Sequence, residues 1–251
     1  MKIFITGATS GIGLELAKLY VERGDIVALS GRDTSKVPDD LKNHKNIKIY
    51  QCDVNDRQKM IDVIDDFYFF PDQKKTGLDI VYANAGIAIA NKSDIADFDL
   101  GRKIIETNVL GVVNTFEAAL KKMIPQGGGH LVATSSVAGF AGLPGAAFYS
   151  SSKAAVNILC ESFSVDLKKY GINVTTICPG FIDTPLTEKN NHPMPFLISV
   201  KKASKKILQA VDRKKTLYLF PFPMKVAIIF LNKMPRFLYR FLVGLKVVSY
   251  K

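Results

Sequence analysis

The chain has 251 residues, 47% of them hydrophobic and 23% charged, with 18 glycines and 11 prolines. That balance excludes a disordered, collagen-like or low-complexity chain and suits one large packed domain better than two small ones. The net charge of +11 is uneven: residues 201–251 hold 13 Lys/Arg against one acid, Asp212, whereas residues 1–200 hold 21 bases and 22 acids. A uniform basic coat for nucleic acid is therefore excluded.

Ile3–Thr6 reads as a strand directly after Met1 and Lys2, which leaves no room for a signal sequence. The strand runs into Thr6-Gly7-Ala8-Thr9-Ser10-Gly11-Ile12-Gly13, and a helix is expected over roughly 12–23. Glycines at this spacing allow tight turns and close approach to a pyrophosphate, with the unpaired N–H groups of a helix start behind them. Further strands are expected at Ile26–Ser30, Ile47–Cys52, Asp79–Ala83, His130–Ser135, Asn173–Cys178 and Thr216–Phe220. Helical spacing marks 56–67, 101–123, 151–169 and 201–211. Apolar strands alternating with amphipathic helices imply an α/β fold: a doubly wound parallel sheet of about seven strands with helices on both faces. Ligands in such folds bind at the carboxyl ends of the strands.

Three cysteines (Cys52, Cys160, Cys178) at unrelated spacings predict neither a disulfide framework nor a metal site, and fit a reducing, cytoplasmic compartment. The longest uncharged stretch, between Lys122 and Lys153, is broken by Gly127-Gly128-Gly129 and Pro144, so no membrane span is expected. His44, His130 and His192 are scattered and read as structural. Phe67-Tyr68-Phe69-Phe70, before Pro71, reads as a packed helix end. Lys201, Lys202, Lys205 and Lys206 form a solvated face over Ala203, Ile207, Ala210 and Val211.

The G-x-x-x-G-x-G loop resembles that of the short-chain dehydrogenase/reductase family in its single-domain, Rossmann-like form. Other motifs follow in the family's order over about residues 1–220. Asn84-Ala85-Gly86 ends the fourth strand, preceded by Ala83 where the family usually has asparagine. Asn108 lies in Thr107-Asn108-Val109-Leu110-Gly111, and Ser136 follows the fifth strand. Tyr149-Ser150-Ser151-Ser152-Lys153 matches YxxxK, and Pro179-Gly180-Phe181-Ile182-Asp183-Thr184 resembles PGxxxT.

This resemblance implies one NAD(P)-binding domain over 1–251, with a basic, apolar extension at about 221–251. It implies a hydride-transferring oxidoreductase acting on a small-molecule carbonyl or secondary alcohol, with Asn108, Ser136, Tyr149 and Lys153 as the catalytic set. Tyr149 and Lys153, at i and i+4, share one helix face. The ammonium and an oxidised nicotinamide are expected to draw the phenol towards neutral pKa, so that Tyr149 acts as general acid or base. Ser136 would stabilise developing alkoxide, and Asn108 would hold a water relaying protons to Lys153. The implied cofactor contacts are Gly7, Thr9, Ser10, Gly11, Ile12, Gly13, Arg32, Asp53, Val54, Asn84, Ala85, Gly86, Tyr149, Lys153, Pro179, Gly180, Ile182 and Thr184. Gly31 stands where NAD-preferring relatives carry aspartate, and Arg32 offers a fork for a 2′-phosphate. NADP(H) is the expected cofactor, although Ser10 replaces a second basic residue found in many NADP users.

Two other readings are a non-catalytic dinucleotide sensor and a sugar-nucleotide epimerase or dehydratase. The intact catalytic set opposes the first, and the absence of TGxxGxxG and of a long C-terminal substrate domain opposes the second. Asp183–Val200 occupies the family's substrate lid, and its apolar content suggests a lipophilic substrate. Helices around 101–123 and 151–169 form subunit contacts in relatives, implying a homodimer or homotetramer.

In the C-terminal fifth, Met224–Leu231 is mostly apolar and Pro235 suits the first turn of a further helix. There Lys233, Arg236 and Arg240 form a stripe beside Phe237, Leu238, Phe241, Leu242 and Leu245. This basic amphipathic pattern suits peripheral association with an anionic membrane, each cation contributing about 1 kcal/mol near the surface. Packing on the sheet, packing between subunits and an acidic acyl carrier protein are the competing uses of the same face.

Overall fold

The computed structural model describes residues 1–71, 77–88, 97–188 and 193–244. His192, Leu245 and part of the Asp183–Val200 stretch lie outside them. Seven parallel strands form one sheet in the order β3-β2-β1-β4-β5-β6-β9. They are β1 (Lys2–Thr6), β2 (Ile26–Gly31), β3 (Ile47–Gln51), β4 (Ile80–Ala83), β5 (Gly129–Thr134), β6 (Ile172–Pro179) and β9 (Leu217–Phe220). Two short strands, β7 (Ile182–Asp183) and β8 (Ile198–Ser199), pair beside the main sheet. The helices are α1 (Gly11–Glu22), α2 (Asp39–Lys42), α3 (Arg57–Phe69), α4 (Phe98–Ile105), α5 (Gly111–Gln126), α6 (Ala147–Asp166), α7 (Val200–Asp212), α8 (Phe222–Lys233) and α9 (Arg236–Gly244).

Side-chain alternation along the central strands feeds two cores. Phe4 belongs to one core with Met60, Val63, Ile64 and Phe67 of α3, Phe116 of α5, and Val156 and Cys160 of α6. Ile3 and Ile5 point the other way, to Leu16, Ala17 and Tyr20 of α1 and Ala203, Ile207 and Ala210 of α7. Because both faces are covered, the strands read as continuous apolar runs. The lysines of α7 lie over its buried face, as the periodicity predicts, with Lys201, Lys202 and Lys205 exposed.

Asp56 starts α3 by accepting from Lys59 N (2.9 Å), which satisfies a helix-start donor. Asp97 does the same for α4, accepting from Asp99 N and Leu100 N, both at 3.0 Å. The single helix expected over 101–123 is in fact α4 and α5 joined by a π-helical turn, Glu106–Leu110. The chain order reverses between β1 and β4, so the loops after these strands diverge to opposite faces. This is where a doubly wound sheet opens its binding crevice.

His130 is structural in its surroundings, buried on β5 with its Nε2 2.7 Å from Thr175 Oγ1. Burial, and secondarily Lys214, lower its pKa from 6.5 to about 4. An unfolded chain takes up this proton near pH 6.5, whereas the folded chain resists until about 4, so acid favours unfolding across that window. The loss should reach roughly 3 kcal/mol. Denaturant titrations across this pH range should show it, and His130→Gln should flatten the dependence; an unchanged slope would refute the assignment.

Candidate active site

Three strand ends and a helix start build one side of the crevice. The Thr6 hydroxyl donates to Tyr82 O (3.1 Å) and accepts from Asn84 N (3.0 Å) and Ala85 N (3.1 Å). Asn84 Nδ2 donates back to Thr6 O and Gly7 O, at 3.1 and 3.2 Å, and Asn84 Oδ1 accepts from Thr134 Oγ1 at 3.0 Å. The glycine loop is thereby pressed against the end of β4. Gly7 has φ +62°, and a Cβ there would stand 2.7 Å from Ala85 Cα; one at Gly13 would stand 2.4 Å from Gly7 O. No side chain caps α1, so the first-turn N–H groups of Gly11, Ile12 and Gly13 stay open to an anion.

At the far end of the cleft, a Cβ on Gly31 would meet Thr9 Cγ2 at 2.7 Å. Arg32 is exposed and, among the described residues, has no ion-pair partner. The neighbouring Asp33 carboxylate is held by Ser35 N (3.1 Å) and Ser35 Oγ (2.5 Å), with Lys36 Nζ at 3.5 Å. Those bonds hold its pKa below the usual carboxylate range. Asp53 accepts from Asn55 N (3.0 Å), and Val54 is buried under Gly111, where a Cβ would approach Val54 Cγ2 to 2.6 Å.

At the other end, α6 carries Tyr149 and Lys153 on one face, and Lys153 Nζ donates to Thr134 O at 2.8 Å. Burial lowers the Lys153 pKa to about 8. Nζ lies 5.8 Å from the Tyr149 ring centre. Ser136 accepts from Ala138 N (3.1 Å), and its hydroxyl is near enough to Tyr149 to lower the phenol's pKa in part.

The expected lowering of the Tyr149 pKa is not what the chain alone produces. Burial pushes the phenol up, and the Ser136 hydroxyl only partly offsets it. The Lys153 ammonium, which donates to the Thr134 carbonyl, does not offset this rise.

Asn108 sits buried in the π-helical turn. Its Oδ1 accepts from Ile87 N (2.8 Å), and its Nδ2 donates to Ile87 O (3.0 Å) and Ser152 Oγ (3.1 Å). Both ends of the side chain are thus engaged with the protein. Ser152 in turn donates to Tyr149 O at 2.7 Å, so the turn and the YxxxK helix are tied together.

A cavity of about 350 Å³ unites these pieces. Of the residues singled out in the sequence, Gly7, Thr9, Ser10, Gly11, Ile12, Arg32, Asp53, Val54, Asn84, Ala85, Gly86, Ser136, Tyr149, Lys153, Pro179, Gly180, Ile182 and Thr184 line it. Gly13 and Asn108 stand behind the wall as packing and positioning groups. Lys36, Thr107 and Thr134 also line it and were not anticipated. Lys36 carries no motif, and Thr134 contributes a carbonyl that any residue could supply.

A doubly wound sheet with this glycine cradle and this tyrosine–lysine face defines a dinucleotide-type oxidoreductase scaffold. The family model for short chain dehydrogenase matches residues 1–195, and the chain belongs to that family. An uncharacterized oxidoreductase of Myxococcus xanthus (strain DK1622) is 36% identical over 227 residues, 88% of this chain and 88% of the relative. One from Staphylococcus aureus (strain USA300) is 31% identical over 213 residues, 84% of this chain and 90% of its own. Among solved structures, ElxO with NADP bound superposes with TM-score 0.76 at 26% identity, over 87% of this chain and 96% of its own. A short-chain dehydrogenase from Streptomyces avermitilis reaches TM-score 0.79 at 24% identity, covering 91% and 90%, and shares the fold.

Proposed function

We propose that the protein is an NADP(H)-dependent oxidoreductase that interconverts a carbonyl and a secondary alcohol. The observation that carries this reading is the convergence of Ser136, Tyr149 and Lys153 on one cleft with a glycine cradle in which a Cβ at Gly7 or Gly13 would strike neighbouring backbone. That cradle fits a dinucleotide, because main chain can approach phosphate only where no side chain intervenes. Gly7, Gly11 and Ile12 would hold the pyrophosphate, Asp53 and Val54 the adenine side, and Asn84 to Gly86 with Pro179, Gly180, Ile182 and Thr184 the nicotinamide side. When bound, the cofactor supplies or accepts the hydride.

The chain's own residues manage the proton. Ser136 and Tyr149 present two hydroxyls to the substrate oxygen, and Tyr149 gives up its phenolic proton in reduction or takes one in oxidation. The raised phenol pKa keeps Tyr149 protonated, which suits the acid role in carbonyl reduction. Lys153, protonated below about pH 8, holds positive potential beneath the forming phenolate. Asn108, through Ile87 and Ser152, fixes the position of the YxxxK turn. Tyr149→Phe should lower turnover about 10²–10⁴-fold while leaving NADPH affinity intact. Steady-state kinetics with NADPH and a carbonyl panel test this, and undiminished turnover would overturn it.

Cofactor choice rests on Arg32 and Lys36, two cations lining the adenosine end, with the intervening acid Asp33 tied to Ser35 and Lys36. The bound NADP of ElxO supports the same choice. NADPH is expected to outperform NADH in kcat/KM, and Arg32→Ala should narrow that ratio at least about tenfold, as loss of a charge-assisted phosphate contact does. A ratio favouring NADH, or one insensitive to both Arg32→Ala and Lys36→Ala, would refute it. The exposed Leu186, which lines the cleft, supports a lipophilic substrate.

The helices α5 and α6 support a homodimer. They enclose an apolar groove that includes Phe116, Leu120, Leu159 and Phe163, and they expose Val113, Ile124, Ile158 and Val165. A single-chain mass in light scattering at micromolar concentration would contradict this pairing.

A further inference from the structure

Beyond residue 195, where the family match ends, the chain builds a surface that catalysis does not use. Helix α8 is apolar on two opposite sides. Ile228 is buried and Met224 and Leu231 are half-buried against the fold, while Phe222, Val226, Ile229 and Phe230 face outward at i, i+4, i+7 and i+8. Helix α9 repeats the arrangement. Tyr239 is buried and its hydroxyl donates to Gly142 O at 2.7 Å, while Phe237, Leu238, Phe241 and Leu242 face outward. Phe222, Phe230 and Phe237 are 74%, 67% and 76% exposed. Folded chains expose large apolar side chains singly, whereas a contiguous set marks a surface that meets something.

The charges on the same two helices say what it meets. Lys225, Lys233, Arg236 and Arg240 are all exposed, and residues 213–251 contain no Asp or Glu at all. Among the described residues these four cations form no ion pair. A second copy of the face would set cations against cations with no acid to answer them, which opposes a symmetric dimer here. An acidic protein would satisfy the cations but leave a phenylalanine-rich surface against carboxylates. A lipid bilayer with anionic headgroups satisfies both: acyl chains take the aromatic and aliphatic side chains, and headgroup phosphates take the cations. With 12 and 9 residues, these helices are too short to cross a hydrocarbon layer of about 30 Å. No helix among the described residues is long and apolar enough to do so. They would lie in the plane of the interface.

Their attachment points place this surface beside the cleft. Gly180 lines the cavity, and a Cβ on it would lie 3.2 Å from both Met224 Cγ and Pro221 Cδ. Gly142, held by Tyr239, lies between Ser136 and Tyr149 in the chain. We propose that α8 and α9 form an in-plane docking surface for an anionic lipid bilayer, which holds the substrate opening of the cleft at the membrane surface. The second half of this statement rests on the oxidoreductase reading; the first does not.

Flotation of the full chain with phosphatidylcholine vesicles, with and without phosphatidylglycerol, tests the docking directly. The protein should float with the anionic vesicles at low salt, at least about tenfold more than with neutral ones, and release as salt rises. The double variant Phe230→Glu/Phe237→Glu and the triple variant Lys233→Glu/Arg236→Glu/Arg240→Glu should each lose flotation while keeping the wild-type melting temperature and NADPH oxidation with a water-soluble ketone. No anionic-lipid-dependent flotation, or flotation that survives both variants, would overturn the proposal. So would a wild-type assembly that binds no vesicles and dissociates on Phe230→Glu/Phe237→Glu, since the face would then join copies of this chain. Flotation without NADPH oxidation on any ketone would uphold the surface and remove the redox reading instead.

Discussion

Thr6 Oγ1 sits where β1 and β4 end side by side, and it bonds three main-chain groups of the neighbouring strand and its following loop. Asn84 answers with two bonds to the β1 end and one from β5. Each such bond contributes only about 1 kcal/mol net, but breaking one strands a buried donor or acceptor at a cost of about 1–3 kcal/mol. The knot therefore holds the glycine loop in a single register against Ala85, close enough that Gly7 and Gly13 tolerate no side chain. The glycine loop is positioned from this crossing.

The same knot reaches the Tyr149–Lys153 helix through one residue. Thr134 gives its hydroxyl to Asn84 and its carbonyl to the Lys153 ammonium. A buried ammonium is costly unless hydrogen-bonded, and here the end of β5 supplies the acceptor. Asn108, in the π-helical turn, is bonded to Ile87 and Ser152 from the other side. Turns of this kind are frequent at functional sites.

What was legible in the sequence is what one residue type at one spacing can encode. The strands declared themselves because both sheet faces are buried, and the glycine loop because φ near +60° and backbone contact at Gly7 admit nothing else. Tyr149 and Lys153 were legible because a helix fixes i and i+4 to one side. The π-helical turn was not, since apolar periodicity records burial and Asn108 is buried by polar bonds to a distant loop. Nor was the pairing of β7 with β8, two residues each, beside which Phe181 O accepts from Ile198 N. Lys36 escaped because it reaches the cleft through a loop whose path Asp33 and Ser35 set by local bonds.

The close fit of Gly31 beneath Thr9 has a consequence for how such a chain diversifies. The two residues occupy adjoining space, so a carboxylate-bearing side chain at 31 cannot be admitted while Thr9 keeps its methyl group within 2.7 Å of the new Cβ. A larger residue at 31 is thus coupled to a change at 9, and the order of the two substitutions is constrained as much as their identity.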